Sequence, residues 1–148
     1  MLDIIRVALS QYGIQEFSGK EINNPEVMKY YHETGRTWVS NDETPWCDAY
    51  FDWCTMKAGL KHSPGLNARG NLKLGVSVTK EEAQKLILEV PIIVIYWRVS
   101  IDSQYGHVGF PIRWHDNRIE TLGGNQNNKV CIMPYQEDMV LDYRRLIK

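Results

Sequence analysis

Cysteine is scarce in this sequence, and none of its apolar runs is long enough to cross a membrane. The three cysteines are odd in number and irregular in spacing, which excludes a disulfide framework and favours synthesis in a reducing cytoplasm. The longest apolar run, Val90 to Trp97, has the length of a strand, whereas a bilayer span needs roughly 18–20 residues. The N-terminus has no positive head before a long apolar stretch, so we expect a helix there and no secretion signal.

A surplus of either charge is also missing. The 148 residues include 17 Lys and Arg against 18 Asp and Glu, and the basic residues are scattered. The formal net charge of −1 therefore argues against a nucleic-acid partner. Because no repeat and no Pro/Gly/Ser linker divides the chain, we expect residues 1–148 to form one domain with one buried core, and a monomer.

Helical patterns precede strand patterns along the chain. Helices are predicted over residues 2–12, about 25–34, 46–58 and about 80–88. Asn24 before Pro25, and Thr79 with Glu82 three residues later, supply caps for the second and fourth helices. From Pro91 onwards, five short segments rich in β-branched and aromatic residues follow, and WHDNR and NQNN are the clearest turns. This order predicts an α+β fold, with N-terminal helices packed on a C-terminal antiparallel sheet of about five strands.

The stretch DETPWCDAYFDWC, residues 42–54, places Cys47 at the start of the third predicted helix. A helix N-terminus favours negative charge and lowers the pKa of a thiol there, and the thiolate is the reactive form. Free cysteines are mostly small buried apolar side chains, however. Cys47 therefore fits either a nucleophile or a core position, whereas Cys54 and Cys131 fit core positions.

His107 and Asn125 are candidates for a base and for the residue that orients it. His107 lies in the apolar segment YGHVGF, whereas the other three histidines lie in polar segments. Asn125 follows Gly123 and Gly124 in LGGNQNN, and its side-chain carbonyl can accept a hydrogen bond from an imidazole N–H. A core histidine and a plain Gly-Asn turn are the alternative interpretations.

The motifs PWCDAYFDW, GHVGF and LGGNQNNKV, in this order and followed by YRR, resemble those of papain-type cell-wall hydrolases. The similarity is to the CHAP and NlpC-like group, in its phage-endolysin-like branch, and it extends to the N-terminal segment YGIQEFSGKEINNPEVMKYY. It implies a papain-like fold and cleavage of a peptide or amide bond in peptidoglycan, with no metal or organic cofactor. It further implies that Cys47 is the nucleophile, His107 the general base and acid, and Asn125 the orienting residue.

Four further residues are candidates for contact with a peptidoglycan stem peptide, which is the expected partner. Trp46 lies beside the nucleophile and can form an aromatic wall of a groove, and Gln126 lies beside Asn125. Asp48 and Glu16 can meet amines of the stem peptide, although a surface charge is the alternative for Glu16.

Three other interpretations remain. The first is a zinc site. Residues of the types that bind zinc are present at Cys47, Cys54, His62 and His107, but the sequence has no Cys-x-x-Cys motif and no closely spaced histidine pair. A second is a cell-wall-binding module of the same fold that does not cut. The third is an injected antibacterial amidase, which would use the same chemistry and have an immunity protein as its partner. A phage lysin would instead be released through a holin. As an effector or as a lysin, the chain is expected to act on the wall, in the periplasm or outside, after injection or release.

Overall fold

The computed structural model describes residues 2–17, 23–40, 45–63 and 67–148. Parts of two quoted motifs, residues 18–22 of the N-terminal segment and 42–44 before Pro45, lie outside the described residues. The helices are α1 (Asp3–Leu9), α2 (Pro25–His32), α3 (Cys47–Lys57) and α4 (Lys80–Leu86), with short 3-10 helices at Ala68–Lys73 and Glu137–Met139. The strands are β1 (Val76–Val78), β2 (Ile92–Trp97), β3 (Gly106–His115), β4 (Arg118–Gln126), β5 (Lys129–Gln136) and β6 (Val140–Arg145).

The strands form one antiparallel sheet in the order β1-β6-β2-β3-β4-β5. The predicted α+β class and antiparallel sheet are therefore confirmed. The described sheet has six strands instead of about five, because Val76–Val78 pairs with the end of β6. That strand is mostly exposed at the sheet edge and has only three residues, which is too short for its apolar alternation to predict a strand.

Two-residue turns close the hairpins β3–β4 and β4–β5. Asp116 and Asn117 have φ values of 48° and 60°, and Asn127 and Asn128 have values of 51° and 63°. Positive φ at both central residues is the mark of a type I′ turn, whose twist matches that of the flanking strands. The turns predicted at WHDNR and NQNN are thus confirmed, and they fix the pairing register of the three strands.

Helix α3 is buried along almost its whole length, between α1, α2 and strands β3 and β4. The ring of Tyr30 on α2 stacks on Trp46 and meets Tyr50 and Trp53 edge-on. Tyr50 also donates a hydrogen bond from its hydroxyl to the Ala8 carbonyl oxygen at 2.9 Å. These aromatic contacts hold the helix, and with it Cys47, against the sheet. Among the described residues, no helix has the length and apolarity needed to cross a membrane.

Two carboxylates one turn apart on α3, Asp48 and Asp52, are buried and share Arg36. Arg36 Nη2 donates to Asp52 Oδ2 and lies 3.8 Å from Asp48 Oδ2. Asn71 Nδ2 donates to Asp48 Oδ1 at 2.6 Å. Burial raises the pKa of both carboxyl groups, and the charge of Asp52 raises the pKa of Asp48 further. The guanidinium of Arg36 thus offsets part of the negative charge of Asp48 and Asp52, and it links the segment after α2 to α3.

Replacing Arg36 by methionine should lower the free energy of unfolding by about 3–5 kcal/mol, because it leaves the two buried carboxyls without their guanidinium. Urea denaturation measures the change. The matched control is Arg113→Met, which breaks the exposed pair between Arg113 and Glu120 (3.2 Å) and should cost less than about 1 kcal/mol. Equal losses in the two variants would contradict this account of the network.

Candidate active site

Cys47 is the first residue of α3 and lines a groove of about 240 Å³. It is 9% exposed, and the backbone N–H groups of Asp48 and of Val108 on β3 act to lower the pKa of its thiol. The thiol therefore lies between the helix start and the beginning of β3 and reaches the groove. The other residues lining the groove are Pro45, Asn67, Ala68, Gln104, Tyr105 and Gly106.

His107 immediately precedes Val108 on β3 and is completely buried. Its ring is stacked on that of Tyr135, with 5.0 Å between the centroids and an interplanar angle of 16°. Its Nε2 lies 2.8 Å from the side-chain oxygen Oε1 of Gln126. Among the described residues, its Nδ1 has no hydrogen-bond partner. The side chain of Cys47 packs in the same core cluster as Val108, whereas that of His107 packs against Tyr135 and Gln126. In the described part of the chain no hydrogen bond joins the thiol to the imidazole, since His107 Nδ1 has no partner.

The amide of Gln126 determines which nitrogen of His107 carries the proton. Its Nε2 donates to the carbonyl oxygens of Cys131 (2.7 Å) and Thr121 (3.1 Å), so its Oε1 must be the atom that faces the imidazole. An amide oxygen only accepts, and His107 Nε2 is therefore the donor. The lone pair consequently lies on Nδ1, which is the nitrogen left for proton transfer.

The prediction that Asn125 orients the imidazole is wrong, because one ring nitrogen of His107 is bonded to Gln126 and the other has no partner. The cause is a bulge in β4, where the pairing register shifts between Gly123 and Gln126. Asn125 adopts a left-handed backbone there, with φ of 56°. An extra residue in a strand shifts the alternation of faces by one, so the side chain that meets His107 is that of the next residue.

Gly123 and Gly124 leave room for this arrangement. A Cβ on Gly123 would lie 2.5 Å from Gln126 Oε1 and 3.1 Å from His107 Nε2, where it would disrupt the hydrogen bond. A Cβ on Gly124 would lie within 2.9 Å of three atoms of Tyr50, so this glycine allows β4 to approach α3. Gly123 therefore leaves room for the hydrogen bond between His107 and Gln126, whereas Gly124 leaves room for Tyr50 of α3.

The thiol and the imidazole are both neutral at neutral pH. Burial raises the pKa of Cys47 to about 11, assisted by the negative charge of Asp48, against smaller opposing effects of Arg98 and two backbone N–H groups. Burial also lowers the pKa of His107 to about 3, assisted by the charge of Arg98. The prediction that the helix start lowers the pKa of the thiol is wrong, because loss of solvation outweighs the N–H groups of the first turn.

Three of the four residues predicted to contact a substrate are not at the groove surface. Trp46 is 0% exposed, Asp48 1% and Gln126 1%, so the predictions of direct contact are wrong for these three. Their buried positions are explained by the Tyr30 stack, the Arg36 network and the His107 hydrogen bond. Glu16 is half-buried and accepts a hydrogen bond from Trp46 Nε1 at 2.8 Å, and its contact with a stem peptide stays a prediction.

Arg98, which no sequence motif indicates, is exposed and directly follows β2. Its positive charge acts to lower the pKa of both Cys47 and His107. Burial raises the pKa of Tyr135, which stacks on His107, to about 12, while the charge of Arg98 acts in the opposite direction.

No protein-family model matches the chain, and no curated protein matches its sequence. In the part of the chain that the structure describes, no group of three or more His, Cys, Asp and Glu side chains is arranged to hold a metal ion. A functional interpretation therefore depends on the geometry at Cys47 and His107 and on the sequence motifs that carry these two residues.

The imidazole of His107 should stay neutral from neutral pH down to about pH 3. The unfolded chain takes up this proton near pH 6.5, the ordinary value. The contribution of His107 to stability is therefore complete above pH 6.5 and is lost as the pH falls from there towards 3.

Nitrogen-15 NMR of the imidazole rings measures both this titration and the position of the proton, which we expect on Nε2. The variant Gln126→Met removes the acceptor and should weaken the preference for that tautomer. A His107 ring that titrates near pH 6.5 in the folded wild-type protein would contradict the buried geometry.

Proposed function

We propose that this chain is a papain-like cysteine peptidase or amidase, of the CHAP and NlpC-like kind, that hydrolyses an amide or peptide bond in peptidoglycan. The observations that support the chemistry are a thiol that lines a groove at the start of α3 and, on the adjoining strand β3, a buried imidazole whose proton is held on Nε2 by Gln126. In this proposal Cys47 is the nucleophile, His107 the base and Gln126 the orienting group, which are the three roles required for acyl transfer. The substrate class comes from the resemblance of the three motifs.

The neutral pair indicates how the reaction begins. As the sulfur of Cys47 attacks the carbonyl carbon, its proton moves to Nδ1 of His107, so charge develops only during attack. The resulting oxyanion can accept hydrogen bonds from backbone N–H groups such as that of Cys47, because first-turn N–H groups have no acceptor within their helix.

The proton then passes from Nδ1 to the leaving nitrogen as the C–N bond breaks, and an acyl-thioester remains on Cys47. A water molecule gives a proton to Nδ1 and attacks the thioester carbon. The C–S bond breaks, the sulfur takes the proton back, and the products are an amine and a carboxylic acid.

Replacing Cys47 by alanine should reduce hydrolysis of purified sacculi by about 10⁴-fold or more, since the step that forms the thioester is lost. Mass spectrometry of the released fragments measures the loss and identifies the bond. The matched control is Cys54→Ala, a buried cysteine of the same helix, which should retain activity well below its melting temperature. Undiminished cleavage by the Cys47→Ala protein would refute the assignment.

Gln126→Met should lower kcat by about 10²–10⁴-fold, the range of general acid–base catalysis, because the imidazole loses its orientation. KM should change little, since Gln126 is 1% exposed and lies behind the imidazole. The comparison variant is Asn125→Gly, which suits the left-handed backbone and should keep kcat near the wild-type value. The reverse ranking of the two variants would restore Asn125 as the orienting residue.

A further inference from the structure

The loop between β2 and β3, residues 98–105, is braced by one side chain. Arg69 donates from Nε to the carbonyl oxygen of Tyr105, from Nη1 to that of Ile101 and from Nη2 to that of Ser100, each at 2.8 Å. A guanidinium is planar and presents its donors in a fixed geometry, so these bonds hold the three carbonyl groups in one arrangement. The position of the loop therefore depends on the Arg69 side chain.

Arg69 also lies next to the groove that Cys47 lines. Asn67 and Ala68, which directly precede it, line that groove, and Asn67 Oδ1 accepts a hydrogen bond from the Arg69 backbone N–H at 3.0 Å. Gly106 lines the groove too, and a Cβ on it would lie 3.0 Å from Arg69 Cγ. One side chain thus joins two parts of the groove lining, the start of the 3-10 helix and the end of the loop.

Tyr105 has a fixed backbone and an exposed ring. Its carbonyl oxygen accepts from Arg69 Nε and, at 3.0 Å, from the backbone N–H of Arg98, and its own N–H donates to Ser103 Oγ at 3.3 Å. The residue is nevertheless 56% exposed, and it lines the groove with Cys47. An aromatic ring held in this way presents apolar area to a ligand at a small cost in conformational entropy.

The loop has further apolar groups in water and a strained residue. Val99 and Ile101 are exposed, and Val99 has a φ of 69°, the left-handed backbone that β-branched residues avoid. Such a conformation persists only where surrounding contacts impose it, and the bonds from Arg69 to the two residues that follow Val99 are contacts of this kind. The loop thus keeps apolar side chains exposed, as binding surfaces do.

The side chains that line the groove indicate what it can bind. Pro45 and Tyr105 offer apolar rings, whereas Asn67 and Gln104 offer carboxamides, which donate and accept hydrogen bonds as peptide groups do. All four residues are exposed. Among the lining residues that the structure describes, none has a charged side chain. This combination fits an uncharged length of peptide with an aliphatic side chain against the rings.

We infer that Tyr105 is a substrate-binding residue of the groove, where its ring packs on an aliphatic side chain next to the scissile amide, and that Arg69 is the positioning residue that holds it there. The identity of the ligand as a substrate rests on the proposed hydrolase function. Proton transfer stays with His107, so loss of the ring weakens binding and leaves the chemical step in place.

Alkylation of Cys47 tests the binding role of Tyr105 without any hydrolysis. Iodoacetamide is small, N-butyl iodoacetamide adds an aliphatic chain, and peptide mapping separates Cys47 from Cys54 and Cys131. We expect the ratio of the N-butyl rate to the iodoacetamide rate at Cys47 to exceed that of glutathione about fivefold, as the burial of one or two methylene groups would give. Tyr105→Ala should return the ratio to the glutathione value, and Tyr105→Phe should keep it, since the ring supplies the contact.

The matched control is Tyr12→Ala, which removes an equally exposed tyrosine (56%) from the segment after α1 and should leave the ratio unchanged. A wild-type ratio at or below that of glutathione would overturn the binding role of Tyr105, and so would an equal drop in the two alanine variants. Both tyrosines are exposed, so neither substitution is expected to unfold the protein.

Hydrogen exchange tests the positioning role of Arg69. In Arg69→Met the backbone N–H groups of Arg98 and Ser100, which are bonded within the loop, should exchange about tenfold faster, whereas those of α3 keep their protection. The N-butyl preference should fall in this variant, and adding Tyr105→Ala should lower it no further, because the two residues act through one contact.

Unchanged exchange in the loop of Arg69→Met, or a further fall of the ratio in the double variant, would overturn the positioning role. If α3 lost protection as well, Arg69→Lys would make the same comparison, since it keeps the charge but provides one ammonium for three carbonyl groups.

Turnover tests the identity of the ligand with two synthetic stem peptides that differ only in an aliphatic residue or a glycine beside the scissile amide. Wild-type protein should show a KM about fivefold lower for the aliphatic peptide, and Tyr105→Ala should bring the two KM values together while kcat changes less. Equal KM values in the wild type would overturn the assignment of the side chain. If neither peptide nor sacculi were cut, the proposed hydrolase function would fail, while the alkylation ratio would still decide on Tyr105.

Discussion

The hydrogen bond between His107 Nε2 and Gln126 Oε1 is the contact on which the proposed chemistry depends. Gln126 has only one orientation available, because its own N–H₂ group is bonded to two carbonyl oxygens of the β4–β5 hairpin. The sheet thus determines the tautomer of an imidazole, and the tautomer leaves Nδ1 as the acceptor. A buried histidine without this partner would have no preferred proton position and no fixed ring orientation.

Burial has a second consequence at the same place. It keeps the imidazole of His107 and the thiol of Cys47 uncharged in the unliganded protein, since the pKa of the first falls to about 3 and that of the second rises to about 11. A neutral pair is easier to accommodate in a site of low polarity than an ion pair whose solvation is lost. In the proposed reaction, proton transfer then accompanies the attack of the sulfur on the carbonyl carbon.

The helical half of the molecule supports the site by different interactions. Aromatic stacking around Tyr30 and the buried Arg36–Asp52 pair hold α3 from behind, whereas Gly124 lets the sheet approach Tyr50. On the other wall, Arg69 braces the loop that carries Arg98. Arg36 and Arg69 thus have structural roles on opposite sides of α3 and the groove.

The sequence by itself determined the α+β order, the four helices and the two turns at Asp-Asn and Asn-Asn, and it indicated Cys47 and His107 as candidate site residues. These follow from local patterns: caps, apolar periodicity and turn residues act over a few positions. Only the tertiary structure decided that Gln126 and not Asn125 faces the imidazole, because a bulge shifts the alternation of β4 by one residue. It likewise decided that Trp46 and Asp48 are buried. Burial and pairing register depend on residues far apart along the chain, and no local pattern records them.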